Sequence, residues 1–210
     1  GISHIDHTID FVTPLGRTVA DVALLLGVIA GEDWRDAQWV RGPIEAGDYA
    51  AAAGEGVEGL RLGLVTESFH ADVCEPDVIA NGRCAAAVLA ACGAVVEEVS
   101  IPLWKYGMAV FQPYVAHLFS DVYRDGGQGF GHLSAYDVPA FEAFTRIRLE
   151  EGALLPDQVK AWILADRHVH ERYGGIPYAR LHNARLAVRR AVMAALQDFD
   201  ALLTPTLPIT

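Results

Sequence analysis

Three residues near the middle of the sequence, His117, Ser120 and Asp121, have the side-chain types of a hydrolase triad. In a working triad the nucleophile, the base and the orienting acid usually come from separate elements, so that their side chains converge on a substrate. Here all three fall within five residues of one predicted helix. The spacing therefore favours the polar face of a helix over a catalytic triad.

Metal binding is a second chemistry to consider, because the chain contains eight histidines. His4 and His7 are three residues apart, whereas His168 and His170 are two apart in a predicted helix and so point to different faces. The sequence has no H-E-x-x-H motif and no pairing of cysteine with histidine at zinc spacing. We therefore predict no metal ligands.

The glycine-rich run at residues 126–131 could suggest a phosphate-binding loop. It matches neither G-x-G-x-x-G nor G-x-x-x-x-G-K-S/T, and it follows a predicted helix instead of a strand. The formal net charge of −11 also argues against a nucleic-acid surface, because phosphate binding needs a basic stripe. We predict a flexible loop at 126–131 and no nucleic-acid partner.

Composition places the chain among globular proteins, since 52% of its residues are apolar and 20% are charged. No apolar run approaches the roughly 18 residues of a membrane-spanning helix, and no signal-peptide pattern opens the chain. We expect a cytoplasmic protein with no membrane partner. Cys74, Cys84 and Cys92 show no C-x-x-C spacing, and we predict that they are small core residues.

The first elements that could position a site are a helix and a β-α-β unit. Residues 19–30 are apolar on nearly every side and follow Thr18, which has capping-box spacing to Asp21, so we predict a helix that is buried in the intact protein, with cover that this chain alone need not supply. Strand patterns at 60–66 and 94–100 flank a predicted helix over 76–92. A strand, a crossover helix and a strand predict parallel pairing with a right-handed crossover.

The rest of the chain is predicted to be mostly helical. Helical patterns run from Trp104 to Tyr123, over 156–173, and through a last segment with apolar residues at helical spacing from Leu181 to Phe199. A short buried strand at 201–204 follows, with no evident partner. From the residues alone, this is an acidic α/β chain with no visible active site.

Three stretches, in order along the chain, resemble the amidase signature family. The first reads I-D-H-T-I-D at 5–10 with T-P-L-G-R-T-V-A-D at 13–21; the second is G-L-R-L-G-L-V at 59–65 with G-A-V-V-E-E-V at 93–99; the third is F-D-A-L-L-T-P-T-L-P at 199–208. The longer I-D-H-T-I-D string looks most like bacterial nitrile-pathway amidases that act on aliphatic and aromatic amides.

The resemblance implies an α/β fold in which a mixed β-sheet is flanked by helices. Residues 1–210 would form the C-terminal-side part of a single amidase domain. Within it, 1–31 would follow the signature motif and contain the buried helix, 60–100 would be the β-α-β unit, 104–199 a helical region and 200–210 a strand end. Because Gly1 is not an initiator methionine and the chain stops just after a strand pattern, we interpret both ends as cut.

The family's chemistry uses a lysine, a cis-serine and a serine nucleophile, with backbone amides as the oxyanion hole. The lysines of this chain are Lys105 and Lys160, and no two of its serines are adjacent. The catalytic residues are therefore expected outside this chain, and the chain alone is expected to be inactive. By resemblance, Ile5 and Phe111 would be substrate-binding residues in the wall of the acyl pocket.

The activity implied by the resemblance is hydrolysis of a small-molecule amide to a carboxylic acid and ammonia through an acyl-serine, with no cofactor. The implied partners are the remainder of the same amidase polypeptide and a second copy in a homodimer. Two alternatives stay open: an amidotransferase subunit of the same family, and a non-catalytic binding or scaffold domain with the same fold.

Overall fold

The computed structural model describes residues 9–31, 47–124 and 136–209. They divide into two compact units, which we call the helical unit (from 1–55 and 113–178) and the sheet unit (56–112 and 179–210). The α-helices of the described ranges are α1 Val19–Ile29, α2 Tyr49–Ala52, α3 Pro76–Ala91, α4 Gly107–Arg124, α5 Val138–Glu150, α6 Asp157–Tyr173 and α7 Ile176–Ala195. The strands are β1 Arg61–Val65, β2 Val95–Val99 and β3 Ala201–Leu203.

The sheet unit contains the predicted β-α-β arrangement, in which β1 and β2 pair in parallel and α3 connects them. The strand at 201–204 was predicted without an evident partner, and this was wrong, because β3 pairs in parallel with β1. The strand order is β2-β1-β3, so β1 is central. The α/β fold class is thus confirmed, with all three described strands parallel.

Two hydrogen bonds between Arg61 and Asp200 join the start of β3 to the start of β1. The Arg61 N–H donates to Asp200 Oδ2 over 2.7 Å, and the Asp200 N–H donates back to the Arg61 carbonyl over 2.8 Å. Residues 61 and 200 are 139 positions apart. A strand of three residues has too little pattern to reveal a partner at that distance, which explains why sequence reasoning missed it.

The core of the sheet unit is small and apolar. Leu64, Phe69 and Ala86 are buried together, with Val96 and Leu203 packed against them. Glycine makes this packing possible at two positions in the chain. A Cβ on Gly82 of α3 would overlap the Phe69 ring, and a Cβ on Gly63 of β1 would lie 2.8 Å from Leu202 Cδ2.

The helical unit is organised around α4, whose buried side chains include Tyr114, Leu118 and Val122. Phe119 of α4 contacts Trp162 of α6, with ring centroids 5.1 Å apart. Tyr123 of α4 contacts Phe144 of α5 at 5.2 Å. The aromatic residues therefore join α4 to both neighbouring helices. The sequence predicted a helical region here but did not separate α5.

Helix α1 begins as predicted, with Thr18 Oγ1 accepting from the Asp21 N–H over 3.1 Å. The described residues cover little of it, however. Ala23 is the buried residue of α1, whereas Val19 and Val28 are 73% and 77% exposed. A helix that is apolar on all sides needs cover, and its burial by the remainder of the polypeptide stays a prediction.

The cysteine prediction is confirmed for Cys74, which is buried, and wrong for Cys84 and Cys92, which are exposed. The last two lie on α3 and just after it, on positions that do not face the sheet unit's core. Among the described helices, none is both long and apolar enough to cross a membrane.

Candidate functional site

A partly buried polar cluster of the helical unit is centred on His117 of α4. Its Nδ1 lies 2.8 Å from Asp166 Oδ1 of α6, and its Nε2 lies 3.3 Å from Asp121 Oδ2, one helical turn further along α4. The His117 side chain is 16% exposed and that of Asp166 is 9% exposed. Each ring nitrogen therefore faces its own carboxylate.

The surrounding residues complete a closed network. Arg124 pairs with the other carboxylate oxygen of Asp121 over 2.6 Å. The Tyr178 ring lies against His117, with centroids 4.6 Å apart, and stacks on Tyr114 at 5.4 Å. The two tyrosine hydroxyls are 3.3 Å apart. These contacts connect α4, α6 and the first turn of α7 within the helical unit.

The structure does not assemble a triad from His117, Ser120 and Asp121. Ser120 is 4% exposed, and within the described ranges no hydrogen bond joins its hydroxyl to His117. A general base must accept a proton from its nucleophile. Both ring nitrogens of His117 are instead engaged by carboxylates, which agrees with the prediction of a polar helix face.

Sequence reasoning missed Asp166, the closest partner of His117. A signal was present, because Asp166 follows the buried Val159 by seven residues and so lies on the same face of α6. An acidic residue on the inward face of a helix needs a partner. The pattern could have predicted a buried polar contact, although not the identity of its partner.

The same three groups are the described cluster best suited to a metal ion, since the ligand atoms of His117, Asp121 and Asp166 lie within 4.8 Å of one another. In metal sites one ring nitrogen binds the ion and the other donates to an outer carboxylate. If Asp166 took that outer role, two protein ligands would remain, fewer than the three of a catalytic zinc site. The geometry fits a hydrogen-bonded link between helices better, and the absence of metal ligands stays a prediction.

The two substrate-binding residues named by resemblance have different outcomes. Ile5 lies outside the described residues. Phe111 lies on α4 and is 46% exposed, so its ring is available for contact. A pocket role for either residue stays a prediction.

A second polar site lies where β1 and β2 end, the edge at which open parallel sheets commonly bind ligands. The Glu67 carboxylate accepts from the Ser100 hydroxyl over 2.6 Å and from the Ile101 N–H over 2.8 Å. Burial raises the pKa of Glu67, but hydrogen bonds from Ser100, from backbone N–H groups and from Thr66 outweigh it and lower the pKa below its ordinary value. The Glu67 carboxylate thus joins the ends of β1 and β2, and both of its oxygens already accept hydrogen bonds.

Comparison with known proteins gives the family. The family model described as Amidase matches residues 1–210. The chain is 36% identical over 207 residues to the enantioselective amidase of Rhodococcus rhodochrous, covering 98% of the chain and 40% of that protein. It is 34% identical over 212 residues to a subunit of the glutamyl-tRNA(Gln) amidotransferase from a Synechococcus strain, covering all of the chain and 42% of that protein.

Solved structures agree in fold. The corresponding glutamyl-tRNA(Gln) amidotransferase subunit of Thermotoga maritima matches with a TM-score of 0.64 and 26% identity, over 94% of this chain and 37% of that one. A bacterial aryl acylamidase matches with a TM-score of 0.61 and 22% identity, over 92% of this chain and 37% of that one, and shows the fold alone. The chain spans about two fifths of the length of the curated relatives it matches. With a match along its whole length, the chain belongs to the amidase signature family.

Proposed function

We propose that the protein containing this chain is an amide hydrolase that converts a carboxylic acid amide and water to a carboxylic acid and ammonia. The observation that carries the proposal is the family match along residues 1–210, together with 36% identity to an enantioselective amidase over nearly the whole chain. A role as an amidotransferase component is a second candidate, supported by the similar match to the glutamyl-tRNA(Gln) amidotransferase subunit.

The proposed mechanism passes through an acyl-serine. A serine Oγ attacks the amide carbonyl, its proton passes through a bridging serine and a lysine to the departing ammonia, and water then hydrolyses the ester. Backbone N–H groups stabilise the oxyanion of each tetrahedral intermediate. No metal or organic cofactor is needed for these steps.

The described serines and lysines support a nucleophile that lies outside this chain. Ser68 Oγ donates to the Val65 carbonyl over 2.8 Å, and Ser100 donates to Glu67. Lys160 Nζ donates to the Ala153 carbonyl over 2.8 Å. These groups are occupied in local structure, and none forms a described Ser-Lys pair. Ser3 and Ser134 lie outside the described residues.

In this proposal the chain contributes scaffold and pocket wall. Ile5 and the half-exposed Phe111 would line the acyl pocket, and the remainder of the polypeptide would supply the catalytic groups. By the same resemblance, the protein acts in the cytoplasm as a homodimer on small-molecule amides.

Ammonia release by the protein expressed as its whole open reading frame tests the proposal. Hydrolysis of a simple aliphatic or aromatic amide without other subunits supports the hydrolase. Release from glutamine that requires additional subunits supports the amidotransferase, and no release under either condition supports a non-catalytic domain. Residues 1–210 alone should neither turn over amides nor react with a fluorophosphonate label at Ser120.

The same assay tests the pocket wall. Ile5→Ala or Phe111→Ala should change the ratio of kcat/KM for an aliphatic and an aromatic amide by about 10-fold or more, the effect of lost apolar contact in a specificity pocket. Leu149→Ala, at a residue that is 74% exposed on α5, is the control and should leave the ratio unchanged. An unchanged ratio in the first two variants would make both residues ordinary packing residues.

A further inference from the structure

A cleft of about 630 Å³ opens within the helical unit, lined by side chains of α4, α5 and α6 and of the turn before α6. Its apolar lining includes Tyr123, Leu155 and Ile163. Its charged lining includes three arginines and two carboxylates. The cleft therefore combines apolar contact area with a small number of charged groups, as small-molecule sites do.

Most of the charged groups in the cleft have partners. Asp166 is engaged by His117 at 2.8 Å. Arg167 Nε donates to Glu171 Oε1 over 2.8 Å. Arg124 pairs with Asp121 on α4. These pairs account for both carboxylates and for two of the three arginines.

Arg148 of α5 is the exception. Its Nε atom is buried and has no hydrogen-bond acceptor in the part of the chain that the structure describes. A guanidinium stays protonated in proteins, so burial does not neutralise it as it can neutralise lysine. Arg148 lines the cleft but has no ion-pair partner among the described residues, and an anion bound in the cleft would supply the missing counter-charge.

We propose that this cleft binds a singly charged organic carboxylate, with its carboxylate on Arg148 and its apolar body against Tyr123, Leu155 and Ile163. Arginine and carboxylate form two parallel hydrogen bonds, and the apolar walls strengthen them by excluding water. The inference concerns a binding site and goes beyond the proposed amide hydrolysis.

The charges around Arg148 select a carboxylate over a phosphate. Three arginines and two carboxylates line the cleft, and their charges sum to +1, which one carboxylate balances and a doubly charged anion exceeds. A phosphate group carries nearly two charges at neutral pH, whereas a carboxylate carries one. The apolar lining further favours a ligand with a hydrocarbon body over a bare inorganic ion.

Calorimetric titration of the protein, expressed as its whole open reading frame, tests the site with benzoate as the probe. Benzyl alcohol is the neutral analogue, and inorganic phosphate is the alternative anion. We expect benzoate to bind and to raise Tm, with both competitors at least about tenfold weaker. Arg148→Gln should weaken benzoate by about tenfold or more, and Arg146→Gln, two residues away on the exposed side of α5, should leave affinity unchanged.

Several results would overturn the proposal. Benzoate bound equally by the wild type and by Arg148→Gln would place it elsewhere, such as in the active site as a product. Phosphate binding more tightly than benzoate would reject the carboxylate class, and no binding of benzoate would reject the site. If Arg148→Gln does not fold, Arg148→Lys keeps the charge without the paired donors, and an affinity equal to the wild type would reject the two-hydrogen-bond geometry.

Discussion

In the sheet unit the buried side chains are apolar apart from Ser68, and Gly82 of α3 packs against the Phe69 ring, just after β1, with no room for a side chain. In the helical unit, α4 carries the buried Ser120 and His117, whose ring packs against Tyr178, and a 2.8 Å hydrogen bond between His117 and Asp166 joins α4 to α6. The sheet unit should therefore respond most strongly to changes in side-chain volume. The helical unit should respond most strongly to changes in charge.

Gly82→Val is expected to give the largest effect, a loss in the free energy of unfolding toward the upper end of about 1–3 kcal/mol. The new side chain would overlap the Phe69 ring, which is 6% exposed and cannot move into solvent, and overpacking of this kind costs about 1–3 kcal/mol. Denaturant unfolding followed by circular dichroism measures the change.

Gly27→Val is the matched control for that experiment. Gly27 also lies within a helix, but a Cβ there meets nothing within 4 Å. Stability should change by no more than about 0.5 kcal/mol, because valine is slightly better than glycine in a helix. Equal losses of stability in the two variants would show that the contact with Phe69 is not the reason why a side chain at position 82 destabilises the protein.

Asp166→Asn should cost about 1–2 kcal/mol, because it keeps the shape of the side chain and removes the charge that faces His117. Asp157→Asn, at a fully exposed carboxylate in the first turn of the same helix, should change stability by less than about 0.5 kcal/mol. Chemical denaturation of both variants at neutral pH makes the comparison. If Asp166→Asn and Asp157→Asn lost the same stability, the contact between Asp166 and His117 would contribute no more than an exposed carboxylate on the same helix.

Glu67→Gln should give the smallest effect, a loss of about 1 kcal/mol at neutral pH from weakened hydrogen bonds to Ser100 and Ile101, and the loss should depend on pH. The pKa of Glu67 is lower in the folded protein than its ordinary value of 4.5, so the ionised form stabilises the fold. That stabilisation is fully present above the ordinary value and is lost as the pH falls through the lower folded value. The gap in Tm between wild type and variant should therefore close as the pH falls below about 4.5.

Glu98→Gln provides the control for the pH dependence, because Glu98 forms an exposed pair with Arg83 at 3.5 Å. Exposed pairs of this kind contribute roughly 0–1 kcal/mol. If the difference in Tm between the wild type and Glu67→Gln did not change with pH, the negative charge of Glu67 would not contribute to joining the ends of β1 and β2, and its hydrogen bonds alone would account for the effect.

The two units also differ in how far they could be predicted. The β-α-β unit was predicted almost to its boundaries, because strand and helix periods and the glycines at the turns are local signals. The pairing of β3 with β1 and the contact of Asp166 with His117 could not be predicted, because each joins residues far apart in sequence and neither leaves a local pattern that identifies its partner. The exposure of Cys84 was missed because composition does not state which face of a helix a neighbour covers.

The central position of β1 also has a consequence during synthesis. While the chain leaves the ribosome, α3 and β2 follow β1 at once, but β3 is clamped to β1 by Asp200, which is 139 residues after Arg61. At about 5–20 residues per second, one edge of β1 waits roughly 7–28 seconds for its partner. During that interval the nascent protein exposes an unpaired strand edge, and other nascent chains or a chaperone can bind it. Translation speed over the helical region should therefore influence how much of the protein reaches its native state.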